Sequence, residues 1–195
     1  VLGPQGLVYF GYADGTVVAL RVEDGLRVWE QIVAEPDGRN ELERMADIDG
    51  EIQVGLDALY AASYKGQMMA IEPGTGRPLW NRDIASYAGV ALLPRQIVVA
   101  DKAGTVWAID RASSSAAWRQ EGLANRWLTS PAVHGGHVVV GDLEGYLHWM
   151  RADSGEFAAR VRVGRDPIRA TPQVSSDGIL VAVTTDGQIA AYRIR

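Results

Sequence analysis

Few residues in this 195-residue chain combine the types and spacing that chemistry needs. The most suggestive stretch is ELERMADIDGEIQV, Glu41 to Val54, which sets Asp47 and Asp49 two residues apart just before Gly50. Carboxylates at alternate positions can converge on a cation, form a catalytic pair, or face a protein partner. As an EF-hand loop opened by Asp47 the stretch fails. Ile52 holds the sixth position, where the turn needs glycine, and Ala58 the twelfth, where a bidentate glutamate belongs. The second candidate is HGGH, His134 to His137. Two histidines three apart could join a metal site, but no carboxylate or third ligand follows in register. His148 alternates within an apolar run and reads as a packed or rim residue. PGTG, Pro73 to Gly76, lies between two apolar runs and reads as a turn. The chain has no Gly-Lys-Ser/Thr phosphate loop, no G-x-G-x-x-G and no G-x-S-x-G elbow. No catalytic residue, metal ligand set or cofactor site is assigned from these residues.

Composition narrows the classes further. Apolar residues make up 47% of the chain and charged ones 22%, as in ordinary globular proteins. The formal net charge is −5 and no basic run occurs, so nucleic-acid binding has no electrostatic footprint. The absence of cysteine excludes disulfides, thiol catalysis and zinc–thiolate sites within these residues. No apolar stretch approaches the ~18–20 residues of a membrane-spanning helix. The chain opens VLGPQGLVYF, without an initiator methionine, and is expected to be a piece of a longer protein.

The elements that carry these residues repeat. Five segments align on Gly15, Gly66, Gly104, Gly145 and Gly187, at intervals of 51, 38, 41 and 42. Trp29, Trp80 and Trp118 each fall 14 residues after their glycine, Ala159 holds that place in the fourth repeat, and the fifth stops short of it. A period near 40 signals a stacked array. Each period reads as β throughout: apolar β-branched runs such as IVVA and HVVVG, a glycine turn, a second strand, a second turn and a third strand bearing the tryptophan. SPAV and TPQV add a short piece whose proline suits an edge strand or strand start. Four antiparallel strands per ~40 residues make a propeller blade. The expectation is a single all-β domain over 1–195, with central strands at Val138–Asp142, Ile97–Asp101 and Tyr60–Ser63. The Gly187 repeat should lack its Trp strand. Trp29, Trp80 and Trp118 are expected as wedges between neighbouring blades, because three indoles at one register favour a structural role over ligand stacking.

The glycine-to-tryptophan register resembles the PQQ-type repeat of quinoprotein dehydrogenases and their non-enzymatic relatives. NRWLTSPAVHGGHVVVGDLEGYLHWM, Asn125 to Met150, ELERMADID and the final TDGQIAAYRIR together resemble the BamB family of the bacterial β-barrel assembly machinery, over essentially the whole chain. That resemblance implies about half of an eight-bladed propeller, here the C-terminal half, with no enzymatic activity and no cofactor. It implies a scaffold at the periplasmic side of the outer membrane that binds the POTRA region of BamA and aids folding of unfolded outer-membrane protein clients. Membrane contact would come only through a lipidated N-terminal cysteine outside these residues, and a Leu/Arg-bearing BamA-binding segment should precede Val1. A quinoprotein dehydrogenase fragment is the alternative, weakened by the missing cysteines and half-barrel length. A ligand-sensing extracytoplasmic propeller is a third reading.

The Gly15 to Gly66 interval exceeds the others by roughly ten residues, and the surplus falls in AEPDGRNELERMAD. Insertions on repeat proteins project from one face, often the binding face. On the residues alone this is a solvated acidic loop. The sharper reading puts Arg44, Met45, Asp47 and Asp49 in a docking surface, and alternation along an extended segment would turn Ile48 inward. The resemblance favours that reading for Asp47 and Asp49 and makes them partner-binding residues.

Overall fold

Each repeat folds because its apolar runs are covered on both faces and its turns carry residues that accept the backbone they need. The computed structural model describes residues 1–34, 48, 52–55 and 57–194. Contacts divide the chain into two units, Val1–Val90 and Ala91–Arg195. The first unit holds a sheet of β1 (Leu7–Gly11), β2 (Thr16–Arg21) and β3 (Arg27–Ile32). Its second sheet comprises β4 (Gln53–Val54), β5 (Leu59–Ala62), β6 (Gln67–Ile71) and β7 (Pro78–Asp83). In the second unit β8 (Val90–Leu92, entering across the boundary), β9 (Gln96–Ala100), β10 (Val106–Asp110) and β11 (Ala116–Gln120) form one sheet. The next contains β12 (Ala132–His134), β13 (His137–Gly141), β14 (Tyr146–Arg151) and β15 (Phe157–Arg162). The last has three strands, β16 (Gln173–Val174), β17 (Ile179–Val183) and β18 (Ile189–Arg193). Every pairing is antiparallel between strands consecutive in the chain. Among the described residues the only helix is a 3-10 turn, Pro4–Gly6, and no helix is long and apolar enough to cross a membrane.

The expected central strands appear one residue earlier than the sequence places them, as β13, β9 and β5. The residue that closes each expected strand belongs to the turn instead. There Ser63 Oγ, Asp101 Oδ1 and Asp142 Oδ1 accept the N–H groups of Gln67, Thr105 and Tyr146 at 3.2, 2.8 and 2.9 Å. These side chains fold back on the backbone, the habit that makes Ser and Asp turn residues. The third sheet position also repeats a bulge, always next to the residue four after the anchor glycine: Ala19, Ala70, Ala108 and Trp149. Among the described residues the Gly187 repeat ends in β18, with no strand after it.

Adjacent sheets are joined by tryptophan. In the first unit Trp29 Nε1 donates to Pro73 O at 2.8 Å, and the indole lies against Gly76. In the second, Trp118 Nε1 donates to Ala152 O at 2.9 Å, with the ring against Gly155. Each indole therefore reaches from one sheet into the second turn of the next. Opposite each sits an alanine, Ala19 and Ala108, whose small side chain leaves room for the ring. Trp80 is half-buried opposite Ala70, its ring 5.9 Å from that of Tyr60. Around these joints the buried residues are Tyr9, Val17, Leu59 and Ile71 in the first unit and Val98, Val106, Val138 and Met150 in the second.

Gly155 has φ +74° and a Cβ there would lie 2.4 Å from the Trp118 ring, whereas Gly178, at φ +75°, has nothing within 4 Å. The left-handed backbone costs an L-residue about 1–2 kcal/mol, and overpacking against an indole adds about 1–3. Gly178→Ala should therefore lose about 1 kcal/mol and Gly155→Ala about 3, read from paired urea denaturation curves. Equal losses would show that the tryptophan contact is not a close one.

Candidate functional site

The ten-residue insertion of the first repeat begins and ends at fixed points. Val33 N–H donates to Gly15 O at 2.8 Å, and Ile48 N–H reaches Tyr12 O at 3.4 Å. The fourth repeat makes the same two bonds without the insertion: Val163 N–H to Gly145 O at 2.8 Å, and Ile168 N–H to Asp142 O at 3.0 Å. Five positions separate Val163 from Ile168, and fifteen separate Val33 from Ile48. Ile48 is 7% exposed and packs with Tyr9, Val17 and Ile52. Its side chain also approaches Gly11, where a Cβ would meet it at 2.8 Å. Ile168 stands over Gly141 in the same way. The inserted chain thus leaves and rejoins the sheet at positions the repeat fixes. Asp47, Asp49, Arg44 and Met45 themselves lie outside the described residues.

A second cluster, not assembled by sequence reasoning, surrounds a carboxylate with no solvent exposure. Asp142 Oδ1 accepts the N–H groups of Glu144 and Tyr146, both at 2.9 Å. Its Oδ2 meets Arg126 Nη1 at 2.6 Å and His148 Nε2 at 2.8 Å. Burial pulls this carboxyl upward. The bonds from His148, the Tyr146 N–H and Arg126 outweigh it, so the pKa falls below the ordinary aspartate value. Asp101 uses the same two oxygens in the preceding repeat, with Trp107 Nε1 at 2.9 Å in the place of His148. The cluster is a turn cap elaborated with a guanidinium. Composition and spacing hid it because Arg126 comes from the connector 16 residues before Asp142.

The remaining histidines are also placed. His134 is buried, and Trp149 Nε1 donates to its Nδ1 at 3.1 Å. An indole nitrogen only donates, so this imidazole carries its proton on Nε2, which donates to Gly178 O at 3.0 Å. His137 pairs with His134 across the β12–β13 hairpin, and its Nδ1 is buried without a hydrogen-bond partner among the described residues. The described residues hold no group of three or more His, Asp or Glu arranged for a metal. Trp149 explains the missing fourth tryptophan. It stands four residues after Gly145, where other repeats have alanine, and pairs with Ala159, where they have tryptophan. Large and small have exchanged strands, and Trp149 packs edge-on to Tyr192 of the next sheet, ring centroids 5.5 Å apart. Aligning two positions per repeat instead of one would have revealed it.

One connector departs from the others. Asn125 and Trp127 adopt left-handed φ of +61° and +49°. Between them Arg126 turns toward Asp142, while Trp127 is 62% exposed and Leu128 is buried. A left-handed tryptophan is uncommon and strained.

The family model described as "Outer membrane protein assembly factor BamB" matches residues 2–120 and 115–195. The chain belongs to the BamB family. A BamB of Xanthomonas campestris is 47% identical over 194 residues, covering 100% of this chain and 47% of that protein. The crystal structure of BamB from Moraxella catarrhalis superposes with a TM-score of 0.89 at 27% identity, covering 99% of this chain and 59% of the other. The β-propeller domain of Cps50 (Swd1) from Myceliophteria thermophila, at 17% identity, shares the fold with a TM-score of 0.77, over 100% of this chain and 64% of that one. The antiparallel sheets are therefore propeller blades of the BamB type. The chain spans about half the length of the curated relatives it matches.

The Asp142 cap gives this BamB blade a pH-dependent component. Its folded pKa is depressed, so its stabilisation is present above the unfolded value, ~3.9, and is lost as pH falls through the folded one. Asp142→Asn should cost about 2 kcal/mol at pH 7, the scale of hydrogen bonds to a charged group. The gap to the parent should narrow as pH falls from 7 to 3 in urea titrations. A gap independent of pH would show that the ionised form is not what the cap stabilises.

Proposed function

We propose that this chain is part of a non-enzymatic scaffold of the outer-membrane β-barrel assembly complex, docking on the periplasmic POTRA region of BamA through the insertion of the first repeat. Relatives carrying the name outer membrane protein assembly factor support the assembly role and the outer-membrane setting. The observation that carries the docking site is the burial of Ile48. In an extended segment alternate residues face opposite ways. Ile48 is held in the core, and on this reading the alternation that buries it would leave its two sequence neighbours, Asp47 and Asp49, for the partner. Two adjacent carboxylates suit a basic group on the partner, with Met45 and the stem of Arg44 adding contact area. The scaffold acts by position: rigid blades fix the insertion's ends and so orient the partner's periplasmic domains for handling unfolded outer-membrane proteins. In the complete protein a lipid anchor would hold the assembly at the periplasmic face of the outer membrane.

Truncating the partner of a desolvated, hydrogen-bonded charge costs ~2–5 kcal/mol, whereas a rim charge acts mainly on the association rate. Asp47→Arg combined with Asp49→Arg in the complete protein should weaken binding to BamA periplasmic domains at least tenfold, ~1.4 kcal/mol, in surface plasmon resonance. The melting temperature should stay within about 2 °C of the parent, as expected if the two carboxylates serve the partner and not the core. Normal binding by a folded double variant would rule out the insertion as the docking site.

A further inference from the structure

A cavity of about 350 Å³ opens between the third and fourth blades of the repeat series, wholly within the second unit. Its wall comes from the connector after β11 (Leu123, Arg126), from His148 on β14, and from Phe157, Ala158 and Arg160 on β15. Three features make it a built site. Ala158 sits at the β15 bulge, where the strand's extra residue has no cross-strand partner, and the wall is small there. Gly122 leaves the entrance open: a Cβ at that position would lie 2.9 Å from Phe157 Cε2. Asp142 fixes the imidazole of His148, whose ring stands 6.2 Å from that of Phe157.

The charges in this wall are one-sided. Arg126 and Arg160 line the cavity, and none of its lining residues is acidic. Arg126 is already offset by Asp142 and Glu144. Arg160 lies 4.9 Å from the Tyr146 ring centroid and meets no carboxylate among the described residues. One uncompensated guanidinium suits a single negative charge better than a dianion. Its planar fork matches a carboxylate. Leu123, Phe157 and Ala158 supply apolar surface beside it, and the volume falls within the small-molecule range of about 300–1,000 Å³.

We propose that this cavity binds a small carboxylate carrying an apolar group of aromatic size, the carboxylate on Arg160 and the apolar group against Phe157 and Leu123. The site is independent of the insertion and of BamA docking. The test is titration of the full chain with 3-phenylpropionate, and in parallel with 3-phenylpropanamide, followed by amide chemical shifts in nuclear magnetic resonance. Saturable shifts centred on Gly122, Phe157 and Arg160 are expected for the acid, with the amide at least tenfold weaker. Arg160 is exposed on an edge strand, so Arg160→Gln should keep the parent melting temperature and lose at least tenfold in affinity. Ala158→Phe should fill the cavity and abolish binding. Equal affinity for acid and amide, unchanged binding by Arg160→Gln, or shifts that do not saturate would each overturn the proposal. So would an acetylated peptide ending in phenylalanine that binds tenfold tighter than 3-phenylpropionate, because the site would then be built for a polypeptide end.

Discussion

The seating of an indole on a glycine of the next blade is the joint on which the rest depends. Trp29 rests on Gly76 and Trp118 on Gly155, each with its nitrogen bonded to a carbonyl of the same turn. A blade cannot bury both faces of its apolar strands alone, so its stability resides in the contact with its neighbour. A buried indole contributes ~150–250 Å² to that contact, and truncating one in a core costs about 3–5 kcal/mol. The hydrogen bond also fixes depth and rotation, which packing alone would leave loose. The fourth blade satisfies the same demand from the other strand, with Trp149 facing Ala159 and bonded to His134. The constraint is one large ring per joint, not one residue position.

Rigid joints have a consequence for the connectors. A connector's ends bond to the first turn of the blade it leaves, as Val163 and Ile168 do to Gly145 and Asp142. Because those bonds recur at Val33 and Ile48, ten extra residues enter the first connector without disturbing the sheet. Insertions at such points cost little, since loop-closure entropy grows only slowly with length. The third connector has no such insertion but is strained, with two left-handed residues flanking Arg126. Between them Arg126 makes its ion pair with the fully buried Asp142 carboxylate.

Much of this was legible in the sequence, for identifiable reasons. Glycine anchors at a period near 40 located the turns, because Gly15, Gly66, Gly104, Gly145 and Gly187 all need positive φ. The β-branched runs located the strands to within one residue, the error arising where Ser63, Asp101 and Asp142 bond the turn instead of extending the strand. Ser114 shows the limit of residue type as a guide. It adopts φ +58° ten residues after Gly104, where the other repeats place Gly25, Gly76 and Gly155. The Arg126–Asp142–His148 cluster was not legible, because it joins a connector to a hairpin and a strand, and no local spacing encodes that. Burial of Ile48 was foreseen from alternation about Asp47 and Asp49, and it is found in the core.

The central claim is that rigid blades present one insertion to BamA. Hydrogen–deuterium exchange of the complete protein, alone and with the periplasmic domains of BamA, tests it directly. The account predicts slowed exchange concentrated in peptides covering residues 41–54, with no change in peptides covering β14 and β15. Protection confined to other blades, with the 41–54 peptides exchanging as in the free protein, would contradict it.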